Sequence, residues 1–211
     1  YLSEIFNEIY LPVFEKNYNI VNFLYKSNKK VKLFAIKPEY EEKEILDFSK
    51  ENKLEILRVG FEKLQDPIQE SFYEQLGLSY KISSDYFRLD YDPVRNKELE
   101  NHLKDYYQCN NNYSVVHIEG SNTNFEQTNL KINSFENLIL VEKKSDKFNN
   151  IFYYLDVFQN AKEVHCINSS FFCLAERIPT TGKLFFHNLK KEKNVKNVTS
   201  FLKDWNFIDY Y

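Results

Sequence analysis

The run Glu163-Val164-His165-Cys166-Ile167-Asn168-Ser169-Ser170-Phe171-Phe172 reads as an apolar strand that turns tightly into a helix. That pattern puts Asn168, Ser169 and Ser170 at the carboxyl end of a strand, the end at which open α/β sheets bind their ligands. Small hydroxyl and amide side chains there can offer hydrogen bonds, and the unpaired N–H groups of the following helix attract an anion such as a diphosphate. The same residues have a purely structural use, because Asn and Ser are common helix caps. Local sequence leaves both uses open.

A second strand runs into a loop at Val115-Val116-His117-Ile118-Glu119-Gly120-Ser121. His117 and Glu119 are the residue types that take or orient a proton, and Ser121 could join the first patch in holding a ligand. Alternatively, His117 and Glu119 could satisfy each other and the loop backbone. The other histidines read as solvated (His102), half-buried on a strand (His165), and either core or cleft at a strand end (His187). None has a metal-ligand partner at helical or hairpin spacing, so no metal site is expected. Cys109, Cys166 and Cys173 form no Cys-x-x-Cys pair and are odd in number, which fits a reducing compartment. No Gly-x-Gly-x-x-Gly or Walker loop occurs, which argues against a dinucleotide cofactor or a P-loop NTPase.

Asn168-Ser169-Ser170-Phe171 after an apolar strand is similar to a segment of fucosyltransferase-like GT-B glycosyltransferases, where it faces the phosphates of the nucleotide sugar. The resemblance extends from Asn150 to His187, through Asn160-Ala161-Lys162-Glu163-Val164-His165 before that segment and Lys183-Leu184-Phe185-Phe186-His187 after it. It is a resemblance to enzymes of bacterial and viral surface-glycan pathways. It implies two facing Rossmann-like lobes and metal-independent transfer of a sugar from a UDP- or GDP-sugar donor to a glycan acceptor, with no further cofactor. Asn168, Ser169, Ser170 and Ser121 would then contact the donor, and His117 and Glu119 would serve proton transfer or orientation. The family's strand end at Val-His continues into an arginine-bearing loop, yet no arginine lies between Arg95 and Arg177 here. Lys131, or an N–H of the Gly120 loop, would have to stand in without the bidentate geometry of arginine. A noncatalytic nucleotide- or glycan-binding protein of the same fold, or an inactive fragment, is the alternative.

The elements that must position these residues alternate between short apolar runs and amphipathic stretches, the pattern of βαβ units in an α/β fold with mostly parallel sheets. Strands are expected at 8–13, 31–36, 54–59, 113–118, 138–141, 163–167 and 183–187. Helices are expected at 20–25, 41–52, 69–76, 96–107, 151–158 and 171–178, with a short helix and an extended end in 198–211. The break around 79–93 divides the chain into an acceptor-side lobe, 1–83, and a nucleotide-sugar lobe, 84–211. The chain lacks Met and opens in a helical pattern, so the first lobe is expected to be truncated and to lack its first strand. A hydrophobic content of 43% supports a folded chain, and a net charge of -3 with Lys and Glu interleaved disfavours nucleic acid as a partner. No apolar run approaches the roughly 20 residues of a membrane span, and with no signal peptide a cytoplasmic location is expected.

Overall fold

The computed structural model describes residues 1–119, 130–132, 136–189 and 199–210. The chain is α/β and divides into two compact units, Tyr1–Lys63 with Arg88–Asp90, and Leu64–Phe87 with Tyr91–Tyr211. Residues 64–83, expected in the first lobe, thus belong to the second unit.

In the first unit a short helix α1 (Leu2–Ile5) precedes strand β1 (Ile9–Phe14), helix α2 (Tyr18–Tyr25), strand β2 (Val31–Ile36) and helix α3 (Glu41–Asn52). Strands β1 and β2 pair in parallel with Ile9 opposite Val31 and Phe14 opposite Ile36, a pairing that requires the crossover α2 supplies. Val13 and Ile36 are the buried hydrophobic side chains of this unit, and Phe34 stacks on Phe48 of α3 at 4.1 Å. The strand expected at 54–59 does not form. Leu54 N–H instead closes the end of α3 on Ser49 O, and Ile56, Leu57 and Val59 remain exposed in irregular chain.

The second unit begins with helices α4 (Ile68–Glu74), α5 (Ile82–Asp85) and α6 (Pro93–Tyr107). Asp92 caps α6 by accepting the Arg95 N–H, and Pro93 fits the first turn, where its missing N–H costs nothing. Strands β3 (Ser114–His117), β4 (Leu138–Leu140), β5 (Glu163–Cys166), β6 (Lys183–Asn188) and β7 (Asn206–Asp209) form one sheet in the order β4-β3-β5-β6-β7, every neighbour parallel. Helix α7 (Leu155–Gln159) lies between β4 and β5, and helix α8 (Ser170–Arg177) between β5 and β6. The expected helix over 151–158 is split, its first turn being a 3-10 helix at Ile151–Tyr153. No helix occurs in 199–210, where β7 provides the extended end.

Because successive strand residues face opposite sides, the sheet buries two different layers. On one side Phe186, Phe172 of α8, Phe201, Trp205 and Phe207 interlock, with Phe172–Phe186 at 5.2 Å and Phe172–Trp205 at 5.1 Å. Val116, Ile118, Leu130, Leu138 and Ile167 form another buried cluster. The buried carboxylate of Glu100 on α6 is matched by Lys97 at 2.7 Å, Lys104 at 3.4 Å, Tyr113 Oη at 3.2 Å and Asn160 Nδ2 at 3.1 Å. A charge so enclosed is tolerable only when its oxygens are paired in this way. No helix among the described residues is long and apolar enough to cross a membrane.

Gly182, just before β6, runs against the chain after α7: a β-carbon there would sit 2.3 Å from Ala161 O and 2.5 Å from Lys162 O. Gly182→Ala should therefore destabilise the second unit by about 1–3 kcal/mol in urea unfolding followed by circular dichroism. Gly77→Ala, with open space around it but a φ of +65°, should cost only about 1–2 kcal/mol by strain.

Candidate functional site

The sheet order reverses at β3: the chain moves to one side of it to place β4 and then to the other to place β5. In open α/β sheets such a reversal is where ligands bind, beyond the carboxyl ends of the strands. His117 is the last residue of β3 and pairs in register with Cys166, the last residue of β5. Three residues on, Ser169 adopts extended backbone (φ -159°, ψ 173°) and caps α8 by accepting the Phe172 N–H at 3.3 Å.

Across the two strand ends Ser169 Oγ lies 3.0 Å from His117 Nδ1. The serine oxygen also accepts from Phe172, and with His117 protonated on Nε2 its hydroxyl donates to the bare Nδ1. Burial pushes the His117 imidazole down to about 4, in keeping with a neutral ring that accepts this bond. Phe171 covers the imidazole, with ring centroids 4.4 Å apart. Such a ring is a poor proton acceptor at neutral pH, and its geometry instead fixes the Ser169 hydroxyl and the entry angle of α8.

Of the first-turn amides of α8, Phe172 N–H is taken by Ser169 Oγ and Cys173 N–H by Ser169 O. Those of Ser170 and Phe171 belong to the helix end whose donors have no intrahelical acceptor. Ser170 is exposed at the head of the helix. Asn168, also exposed, donates through Nδ2 to the buried Thr199 Oγ1 at 3.0 Å, holding that segment against the strand end. The arrangement offers an uncharged, hydrogen-bonding rim around a positive helix terminus, suited to holding an anion.

His117, Asn168, Ser169 and Ser170 are therefore gathered at neighbouring strand ends. Glu119 is exposed, and His117 is bonded to Ser169, so the expectation that His117 and Glu119 satisfy each other is corrected: a hydroxyl at 3.0 Å is the imidazole's partner. Ser121 and Gly120 lie outside the described residues. Lys131 is committed elsewhere, donating to Asp209 O at 2.6 Å and lying over the Tyr210 ring. Arg177, at the far end of α8, is held by Tyr80 Oη, Ser83 O and Cys173 O. His165 and His187, read as half-buried and ambiguous, are both buried, and their rings are bonded to each other. Sequence reasoning missed Thr199, which follows Asn168 by 31 residues and lies in no periodic pattern, and the Phe171 ring over His117. Among the described residues no group of three or more His, Cys, Asp or Glu is placed to hold a metal ion.

No family model matches the chain, and neither a curated protein nor a solved structure matches it.

Burial lowers the proton affinity of His117, His165 and His187 alike. Below the ordinary value of 6.5 the unfolded chain takes up protons that the folded chain refuses, so stability should fall as pH drops from about 6.5 toward 4 and be complete above that window. The His117 share is on the order of 3 kcal/mol. Urea titrations at a series of pH values should show this slope, flattened in His117→Gln. Ser169→Ala should cost about 1 kcal/mol at neutral pH through the lost cap.

Proposed function

We propose that the chain is a glycosyltransferase that moves a sugar from a UDP- or GDP-sugar to a glycan acceptor without a metal ion. The observation that carries this reading is the bond between His117 and Ser169 at the amino end of α8, located where the strand order reverses. Ligands of open α/β sheets bind at such points, and a diphosphate matches a helix terminus bordered by hydroxyls. The likeness of Asn168-Ser169-Ser170-Phe171 to the donor-binding segment of fucosyltransferase-like GT-B enzymes points the same way.

In this reading the amides of Ser170 and Phe171, the Ser169 and Ser170 hydroxyls, Asn168 and Ser121 hold the diphosphate and stabilise its charge as it departs. His117 acts as a positioning residue. Glu119, exposed two residues beyond it, is the carboxylate available to take the proton from the acceptor hydroxyl. The GT-B assignment gives the donor to the second unit and the acceptor to the first, and puts the protein in the cytoplasm, where its three free cysteines stay reduced.

Hydrogen bonds to a charged group contribute about 1.5–3 kcal/mol each, so without an arginine the affinity should be weak, roughly millimolar. Calorimetric titration with UDP- and GDP-sugars should show binding that is unchanged by a chelator. Ser169→Asp keeps a capping side chain but sets a carboxylate against the diphosphate, and together with Ser170→Glu it should abolish binding. Glu119→Gln should spare binding and remove transfer. Loss of binding on chelation, or full binding by the double variant, would overturn the assignment.

A noncatalytic nucleotide-binding protein is the second reading, favoured by the engagement of His117 with Ser169 and by the internal ties of Arg177 and Lys131. Binding without transfer in the unaltered protein would select it.

A further inference from the structure

Across β5, β6 and the end of β7 runs a chain of side chains that takes no part in the site. Glu163 Oε2 lies 3.4 Å from His165 Nε2, His165 Nδ1 lies 2.9 Å from His187 Nε2, and His187 Nδ1 lies 2.6 Å from Tyr210 Oη. Tyr210 Oη in turn accepts the Lys131 backbone N–H at 2.9 Å. Both rings are buried, His165 at 3% and His187 at 1% exposure.

The two ends fix every proton between them. A carboxylate only accepts, so His165 carries its proton on Nε2 and its Nδ1 is bare. His187 must then donate from Nε2, which leaves its own Nδ1 bare. Tyr210, already accepting from Lys131, donates its hydroxyl proton there. One extra proton on either imidazole upsets this order. If it is placed on His165 Nδ1, the His187 proton must move to Nδ1, and the Tyr210 hydroxyl then faces an N–H and has to turn away from His187. Placed on His187 Nδ1, it has the same effect directly.

Among the described residues, the charged groups facing this chain are Glu163 at one end and Lys131 at the other. The Lys131 ammonium lies 5.0 Å from the centre of the Tyr210 ring and bonds Asp209 O. Phe185 stacks on His165 at 4.6 Å, and Val116 of β3 and Ile208 of β7 are the register neighbours of His165 and His187. A positive charge at His187 therefore meets buried surroundings and the His165 ring rather than water.

Among the described residues strand β7 pairs with β6 alone, an edge position with one row of backbone groups unpaired. The chain before it is anchored, because the buried Glu176 on α8 accepts both the Trp205 indole N–H and the Leu202 N–H. We propose that the His165–His187 pair is an acid-sensitive latch: with both rings neutral it holds Tyr210 and Lys131 together over β7, and proton uptake frees residues 206–210 from a hinge after Trp205 while β3 and β5 stay paired.

Lowered proton affinity in the closed state sets the sign. Closure is favoured above the ordinary imidazole range and lost as pH falls below about 6.5, the opening constant rising about 10-fold per pH unit for each histidine that gains a proton on opening. Hydrogen exchange on the full chain between pH 7.5 and 5, corrected for intrinsic rates, should show the amides of 206–210 and of Lys131 losing protection by about 10- to 100-fold per unit. The amides of β3 and β5 should stay better protected than those of β7 at every pH, declining only as far as global stability does. Tyr210→Phe should lower the protection of β7 about five-fold at pH 7.5, the loss of one hydrogen bond. His187→Asn should flatten the pH dependence. Imidazole nitrogen spectra at pH 7.5 should find the proton of both rings on Nε2. Protection of β7 that does not change with pH, protection lost only together with β3 and β5, or a proton on His187 Nδ1 would overturn the proposal, and the two wild-type measurements decide it even where a variant fails to fold.

Discussion

Strand β3 has strands on both edges and Val115, Val116 and His117 buried, so none of its backbone groups can turn to water. Four residues in that situation need partners on either side at once. Parallel partners in turn require crossover connections, and here they place β4 and β5 on opposite edges of β3. The seating of α8 with its amino end beside His117 follows from the pairing of β3 with β5. Had β4 and β5 been added on the same side, the helix start and the histidine would not share a strand boundary.

The two units solve the problem of a small core differently. In the first, a two-stranded parallel pair leans on one helix, and its best packing is the Phe34–Phe48 stack and the Tyr10–Phe48 contact at 5.5 Å. In the second, a five-stranded sheet is sealed on one side by a continuous set of aromatic rings, and two carboxylates enclosed with it are paired: Glu100 by two lysines, a tyrosine and an asparagine, Glu176 by an indole and a backbone N–H. Aromatic side chains bury much surface per residue, which lets short strands of three to six residues hold a sheet.

Much of this was legible because burial writes itself into sequence as uninterrupted apolar runs. Strands β2 and β5 and helix α3 fall where the pattern puts them, and the capping signature of Asn168, Ser169 and Ser170 correctly marks a helix start after a strand. The 54–59 segment shows where pattern fails, since Leu54, Ile56, Leu57 and Val59 have strand character but find no neighbouring strand to complete the hydrogen bonds. Partners distant in sequence were equally hidden. That His117 would meet Ser169 rather than Glu119 depends on β3 and β5 being adjacent, and that Asn168 would hold Thr199 depends on the path of a segment with no periodicity. The paired rings of His165 and His187 follow from strand register, because His165 lies beside Phe185, two residues from His187.

Trp205 is the sole tryptophan of the chain, and it sits in the second unit, buried against Phe172 with its indole N–H on Glu176. The molecule thereby carries its own optical label in one unit and none in the other. Because the indole is buried against Phe172 and tied to Glu176, its emission should respond to the packing of α8 and so to the helix that begins at Ser169. Tyrosine emission and far-ultraviolet ellipticity include the first unit as well. A difference between the two signals on heating or in denaturant would separate the unfolding of one half of the chain from that of the other without any added dye.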